Sequence, residues 1–258
     1  MLILACDTSN ASCSAGLFED GRVVAQSLMS VSKTHSLTFM PMVHDLMKAS
    51  GRTYQDLDAF ACAVGPGSFT GIRIGVSAVK AMAMVAGIPA VPVSSLAALA
   101  YPFSQIKNTL TVAMSDARNR RVFSAAFYEG EPVIEEAART VEELIALCGE
   151  WEEAWISNAS PKSATNVDDF AGHAYILCGD AADTYVSETF FAGKCARVPE
   201  LFAREIQPGS VAALAYQIVR KHEGQNLMDV FPPERLMPVY RAKTSAERLM
   251  QSKEDQKP

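Results

Sequence analysis

The segment GPGSFTGIRIG, residues 65–75, follows the apolar run of residues 59–64 and combines four glycines with a proline, a serine and a threonine. A glycine-rich turn between a strand and a helix is a ready anion site, because free N–H groups and the helix dipole point outward there. The segment lacks the GK[ST] signature of a P-loop, however, and its glycines do not fit GxGxxG. Phosphate binding is therefore the weaker of two interpretations.

The second interpretation is close packing of a helix. Gly71 and Gly75 are four residues apart, so they share one face of a helix predicted over residues 70–86, and Ala78 and Met82 extend that face. Glycine inside a helix costs up to ~1 kcal/mol relative to alanine, so it is expected where close approach repays the cost. The stripe predicts packing against a partner helix or, alternatively, only against the chain's own sheet.

A neighbouring amphipathic helix is predicted over residues 38–50, with Thr38 as its cap and Pro41 in or near its first turn. Both helices contain several methionines, and Met-rich surfaces adapt to different partners. We therefore predict that the two helices form one layer of a helix-bundle interface. The predicted interface residues are Met40, Val43, His44, Met47, Gly71, Ile72, Gly75, Val76, Ala78, Val79 and Met82.

The elements that hold these helices occur twice in the sequence. Superposing residues 2–21 on residues 111–130 places Asp7 on Asp116 and Gly21 on Gly130. Each copy is an apolar strand with an Asp at its carboxyl end, a polar turn, a second strand and an acid-Gly turn. This order predicts a duplicated α/β architecture.

A duplicated meander–helix–strand–helix arrangement with one Asp turn per copy resembles the actin, sugar-kinase and heat-shock ATPase superfamily. The resemblance implies a two-lobed, duplicated βββαβαβα fold that closes over a nucleotide. The positions that match its nucleotide-binding turns are Asp7, Thr8, Ser9, Asp116, Arg118, Gly179 and Asp180. The turn after the first strand contains no glycine, so turn capping by the Asp side chains explains these residues equally well.

Within this superfamily, six segments stand in the order seen in the bacterial TsaB (YeaZ) family: DTS (7–9), HS (35–36), GPGSFTGIRIG, DAR (116–118), GD (179–180) and PVYRA (238–242). The resemblance implies a non-catalytic scaffold or activator subunit of the complex that forms threonylcarbamoyladenosine next to the anticodon of tRNAs reading codons that start with A. It implies that the first-lobe helices bind the catalytic paralogue TsaD, with the ATPase TsaE as a further partner. It also implies that tRNA is reached only through the complex, that the free chain forms a homodimer, and that no cofactor beyond weak ATP or ADP binding is involved.

Composition limits the remaining classes of function. Hydrophobic residues make up 49% of the chain, charged residues 20%, and the net charge is −6, which disfavours a strong nucleic-acid grip by the chain alone. Six scattered cysteines without a CxxC pair predict free, buried thiols in a reducing cytoplasm. Four histidines without an HExxH pattern predict no metal site, and no membrane span or secretory signal is expected.

Two enzymatic alternatives remain open. An ATP-binding enzyme of the same fold, a small-molecule kinase or ATPase, would require Mg-ATP binding that depends on Asp7. A peptidase is less favoured, because the sequence has no metal-binding histidine pair and Ser68 is not in a GxSxG motif. We therefore predict no catalytic residues.

The predicted domains are an N-terminal lobe (1–103), a C-terminal lobe (104–208), a helical segment packing back between or onto the lobes (209–230) and a partly disordered tail (231–258). Ser210 is the expected cap of the helical segment. In the second lobe, Thr140 and Glu143 predict a capping box at the start of a helix over residues 140–147.

Overall fold

The first lobe is built on a five-stranded mixed sheet. The computed structural model describes residues 1–30, 35–158, 174–192, 194–200 and 204–241. Its first sheet has the order β3-β2-β1-β4-β5, with β1–β3 antiparallel and β4 and β5 parallel to β1. The strands are β1 (Leu2–Asp7), β2 (Cys13–Glu19), β3 (Arg22–Met29), β4 (Ala59–Ala63) and β5 (Ala90–Val93), and the helices are α1 (His35–Ser50), α2 (Phe69–Ala86) and α3 (Ser95–Ala100).

The second sheet repeats this order from its opposite edge, as β10-β9-β6-β7-β8. Its strands are β6 (Thr109–Asp116), β7 (Arg121–Tyr128), β8 (Glu131–Thr140), β9 (Ala174–Cys178) and β10 (Cys195–Arg197). The remaining helices are α4 (Val141–Asn158), α5 (Ala182–Tyr185), α6 (Thr189–Ala192), α7 (Pro208–Arg220) and α8 (Leu227–Val230).

The duplication predicted from the sequence is confirmed down to the turns. Asp20 and Gly21, between β2 and β3, have φ values of 47° and 88°, and Glu129 and Gly130, between β7 and β8, have 49° and 87°. Both central residues with positive φ are typical of the tight hairpin turn that suits twisted strands. The acid-Gly pairs therefore close the same turn in both lobes.

Helices cover both faces of the first sheet and join the two lobes. On one face, α1 and α2 pack against β1, β2 and β4. On the other face lie α7 and the short helix α3, which also contacts β6 and β7 of the second sheet. One apolar cluster therefore contains Ile3 of the first lobe together with Ala113 and Phe127 of the second.

Two predicted helix caps are wrong, and one is confirmed. Helix α1 begins at His35, so Pro41 lies in its interior and Thr38 is not its cap. Helix α7 begins at Pro208, so Ser210 lies inside its first turn; proline is favoured there because its φ is preset and its missing N–H is not needed. The capping box before α4 is present: Thr140 N donates to Glu143 Oε2 (2.7 Å), and Glu143 N donates to Thr140 Oγ1 (3.2 Å).

The segment after α8 packs on the first lobe. Ala90 N donates to the Phe231 carbonyl (3.0 Å), Val239 N donates to the Val64 carbonyl (2.8 Å), and Leu236 is buried. Residues 231–241 are therefore ordered against this lobe, and the rest of the predicted tail, residues 242–258, lies outside the described residues.

Among the described residues, α2 is the one helix that is long and apolar enough to cross a membrane. Of its 18 residues, 33% are buried. Buried core helices meet the same criterion. Ile72, Val76 and Val79 of α2 lie in the apolar cluster on the first sheet, so the hydropathy of α2 is explained by the core that it covers.

Candidate functional site

The glycine-rich segment holds the turn that follows β1. Ser68 N donates to the Ser9 carbonyl (2.7 Å), and Thr8 Oγ1 donates to the Gly71 carbonyl (2.7 Å). Ser68 Oγ accepts from Gly71 N (3.3 Å) and so caps α2. Two of the donors at this helix start, Ser68 N and Gly71 N, are thus already bonded within the chain.

The glycines of α2 make room for the same turn. A Cβ at Gly71 would overlap the Thr8 carbonyl oxygen, and a Cβ at Gly75 would overlap Thr8 Oγ1. At Gly67 it would overlap the Ser9 carbonyl oxygen. The close approach of Gly71 and Gly75 is therefore to the chain's own β1–β2 turn and not to a partner helix, whereas Ala78 and Met82 of the same stripe are only partly buried.

Most of the predicted interface residues are buried in the first lobe. Val43, Met47, Gly71, Ile72, Gly75, Val76 and Val79 are buried, Ala78 and Met82 are partly buried, and Met40 and His44 are exposed. Helical periodicity selected the face that covers the sheet, because the most apolar face of a helix gains most from burial.

The opposite side of these helices carries exposed apolar side chains. Leu37 of α1 is 74% exposed, and Val85 of α2 is 91% exposed. We call the exposed set the outer helix surface; it consists of Leu37, Met40, His44, Met84 and Val85. The predicted interface residues include Met40 and His44 of this surface but not Leu37, Met84 or Val85. Val85 lies on the far side of α2 from Val76 and Val79 at helical spacing.

A cavity of about 530 Å³ opens where the two Asp turns meet between the lobes. Its walls include residues 9–11, 67–70 and 115–118, with His35, Phe123 and Asp180. Ser115 Oγ donates to Asn10 Oδ1 (3.1 Å), which joins the turn after β6 to the turn after β1. Sequence reasoning missed the parts of this cleft that Asn10 and Phe123 supply.

The structure brings four of the predicted nucleotide-binding residues together at this cleft and places three behind it. Ser9, Asp116, Arg118 and Asp180 line the cavity. The remaining three, which are buried and do not line it, are Asp7, Thr8 and Gly179.

Asp7 is a buried carboxylate that organises the first turn. Its Oδ1 accepts from Ser9 N (2.9 Å) and Ser9 Oγ (2.6 Å), while its Oδ2 has no hydrogen-bond partner among the described residues. Burial raises the pKa of Asp7 to about 6, and the two bonds from Ser9 oppose that rise. The turn-capping role anticipated for this residue is therefore present.

Because the pKa of Asp7 is raised, we predict that Asp7→Asn removes a pH-dependent loss of folding stability. The pKa of Asp7 is about 6 in the folded protein and near its ordinary value of 3.8 when unfolded, so the folded state binds more protons between those pH values. The free energy of unfolding therefore falls as pH rises from 3.8 to about 6, by at most about 3 kcal/mol, and this loss is absent below pH 3.8. Urea unfolding should show that the free energy of unfolding of the variant increases relative to that of wild type across this pH range. An equal difference at about pH 4 and about pH 7.5 would contradict the assignment.

The second Asp turn is more open. Asp180 Oδ1 accepts from Asp116 N (3.0 Å), and Asp116 Oδ1 accepts from Arg118 N (2.8 Å). Desolvation raises the pKa of Asp180. Three consecutive residues, 118–120, have positive φ values in the left-handed region, which costs non-glycine residues free energy.

The individual φ values are 63° at Arg118, 54° at Asn119 and 55° at Arg120. Arg120 is held away from the cleft by ion pairs with Glu142 (2.7 Å) and Glu188 (3.3 Å). Arg118 lines the cleft and forms no ion pair with a described residue, so its guanidinium is the cation that this turn offers to the cavity.

The structure describes the side chains of five of the six cysteines. Cys6, Cys13, Cys62, Cys148 and Cys178 are free and buried, as predicted for these positions. Within the described ranges, no group of three or more His, Cys, Asp or Glu side chains is arranged to hold a metal ion.

Sequence comparisons connect the chain to tRNA modification. A family model described as TsaD: tRNA N6-adenosine threonylcarbamoyltransferase matches residues 29–233. The tRNA threonylcarbamoyladenosine biosynthesis protein TsaB of Escherichia coli (strain K12) is 34% identical over 161 residues, which cover 58% of this chain and 69% of that protein. The protein of the same name from Bacillus subtilis (strain 168) is 35% identical over 136 residues, which cover 53% of this chain and 59% of that protein.

Solved structures give the same result over a longer span. YeaZ from Pseudomonas aeruginosa superposes with a TM-score of 0.64 at 26% identity, covering 93% of this chain and 99% of that one. A second P. aeruginosa structure, described as an uncharacterized protein with similarity to peptidase YEAZ, gives a TM-score of 0.66 at 25% identity with the same coverage. The chain, with its two matching five-stranded sheets, belongs to the TsaB (YeaZ) family, whose named relatives take part in tRNA threonylcarbamoyladenosine biosynthesis.

Proposed function

We propose that this protein is a non-catalytic scaffold or activator subunit of the complex that forms threonylcarbamoyladenosine in tRNA. It binds the catalytic TsaD-type relative through the outer helix surface. The observation that carries this proposal is the exposure of Leu37 and Val85 on two adjacent helices of the first lobe. Exposed apolar patches on a protein surface mark interaction sites.

The outer helix surface has the composition of a helix-packing interface. Between its apolar side chains, α2 exposes the small residues Ser77 and Ala81, which let a partner helix approach closely. Met40 and Met84 add flexible side chains that adapt to the shape of the partner. A pair of helices from a relative with the same fold is a suitable occupant.

The same surface accounts for the other proposed partners. A second copy of the chain offers an identical pair of helices, so the free protein forms a homodimer that competes with the heterodimer. The ATPase TsaE and the tRNA join through the assembled complex. In this arrangement the chain works in the cytoplasm, where its tRNA substrate is modified.

Two residues at or beside the β1–β2 turn have structural roles that support a function without catalysis. The Asp7 carboxylate is buried and bonded to Ser9, so it does not reach the cleft. Ser68 Oγ accepts from Gly71 N as the cap of α2, which is a structural role and leaves the peptidase alternative without a supporting observation.

The cleft favours a second candidate function, weak nucleotide binding. Ser9, Asp116, Arg118 and Asp180 line a polar cavity of about 530 Å³ between the lobes, which is large enough for a nucleotide. Calorimetry with Mg-ATP on wild type and on Arg118→Ala tests this candidate. Turnover of ATP by the purified chain alone would favour the enzymatic alternative over the scaffold.

Light scattering on a mixture of this chain with the TsaD-type protein of the same organism tests the main proposal. The expected result is a particle with the summed mass of the two chains. Separate elution of the two proteins at tens of micromolar would contradict it.

A further inference from the structure

Side chains from two of the sequence segments meet on the surface beside α2. Phe69 and Arg73 come from the segment GPGSFTGIRIG, and Tyr240 comes from PVYRA. Arg73 Nε donates to Tyr240 Oη (2.7 Å), the Arg73 guanidinium carbon lies 3.8 Å from the Phe69 ring centroid, and the two ring centroids are 5.0 Å apart. We call these three residues the aromatic–arginine platform.

The platform is an exposed feature rather than part of the core. Phe69 is 41% exposed, Tyr240 is 45% exposed, and Arg73 is exposed. The chain segment that carries Tyr240 is already anchored by buried Leu236 and by the bond from Val239 N to the Val64 carbonyl. Packing of the lobe therefore does not account for stacked planar groups at this place.

The flank of α2 around the platform is cationic, although the whole chain carries a net charge of −6. Arg73, Lys80 and Arg235 form no ion pair with a described residue, and Lys80 Nζ donates to the Glu234 carbonyl (2.6 Å). These three cations outnumber the exposed carboxylate of Glu234 beside them. An anionic partner therefore fits this flank, although the net charge of the whole chain is negative.

The platform lies beside the outer helix surface and not within it. Arg73 and Lys80 lie on the flank of α2 where the segment 233–240 packs, and Met84 of the outer helix surface follows Lys80 by one turn. A protein bound across α1 and α2 thus leaves the platform at the margin of the interface.

We propose that the aromatic–arginine platform binds single-stranded RNA in the assembled complex. One unpaired base stacks on the exposed ring or guanidinium face, and an adjacent phosphate pairs with the free donors of Arg73. Single-stranded RNA is recognised by stacking on aromatic rings and Arg planes, combined with phosphate contacts. This inference rests on the proposed function, because the chain reaches tRNA only within the complex.

The test measures tRNA affinity of the complete complex with the TsaD-type protein. Fluorescence anisotropy with an unmodified tRNA transcript, at several salt concentrations, compares wild type with Arg73→Gln, Arg73→Lys and Tyr240→Leu. Arg220→Gln is the matched control, since Arg220 is an exposed arginine on α7. We expect Arg73→Gln and Tyr240→Leu to weaken binding about tenfold, and Arg73→Gln to lower the salt slope by about 1. Arg73→Lys keeps the charge and should restore the slope but not the full affinity, because lysine does not stack as a plane.

The mass of each complex, measured by light scattering, separates this inference from the proposed function. Full mass with weakened tRNA binding supports the platform. Full mass with unchanged affinity and salt slope overturns it. Loss of the complex in Arg73→Lys, with unchanged thermal unfolding of the free chain, would show that the platform binds protein, and that also overturns the RNA assignment. Failure of the wild-type chains to assemble would instead contradict the proposed function.

Discussion

Replacing Val85 with arginine should abolish the complex with the TsaD-type relative and leave the free chain folded. Val85 is 91% exposed near the end of α2, so an arginine there is hydrated in the free protein. In the proposed interface the guanidinium would be buried without a partner, and such a charge costs several kcal/mol. We expect an affinity loss of at least about 100-fold, which light scattering of the mixed proteins would report as two separate masses.

Two arginine substitutions elsewhere sharpen this experiment. Ile156→Arg changes another exposed apolar residue, on α4 of the second lobe, and should leave the complex intact. Val76→Arg places the same charge in the core of the first lobe, where the side chain is 3% exposed, and should unfold the chain rather than report on the interface. A Val85→Arg protein that still elutes with its relative at full mass would refute the outer helix surface as the binding site.

The fold was predictable because its signals are local and repeated. The strands around Asp7 and Asp116 are continuous apolar runs, and the acid-Gly turns at residues 20–21 and 129–130 need positive φ in both copies. Such turns fix strand register whatever the tertiary context. The same strength of local signal explains the capping box at Thr140.

Which side chains of α1 and α2 are exposed was not predictable from helical periodicity. A hydrophobic stripe identifies the side that is buried, and in α2 the sheet already occupies the side with Ile72, Val76 and Val79. The exposed side is less apolar on average, so Val85 is detectable only once the packing of the helix is known. The burial of Asp7 was not predictable from the sequence either, because it depends on a segment that is distant along the chain. The glycine-rich segment covers the β1–β2 turn, as the bond from Ser68 N to the Ser9 carbonyl shows.

Replacing Gly71 with alanine should strongly destabilise the first lobe. The new Cβ would overlap the Thr8 carbonyl oxygen, and a backbone atom has no rotamer by which to move aside. Relief requires the β1–β2 turn to shift, which strains the bonds from Thr8 Oγ1 to Gly71 and from Ser68 N to Ser9. We expect a loss of about 3 kcal/mol in the free energy of unfolding, or roughly 10 °C in the melting temperature.

The neighbouring glycine separates steric overlap from helix propensity. At Gly75 the obstacle is the Thr8 side-chain oxygen, so Thr8→Ala should rescue Gly75→Ala but not Gly71→Ala. Among the described residues, a Cβ at Gly149, inside α4, meets only Phe190 Cε2 at 3.7 Å, so Gly149→Ala should stabilise the chain by up to ~1 kcal/mol, because alanine favours helix. Thermal unfolding of the single and double variants checks both points. If Gly71→Ala melts with wild type, the glycines do not clamp this turn, and the close-packing explanation of the GPGSFTGIRIG segment is wrong.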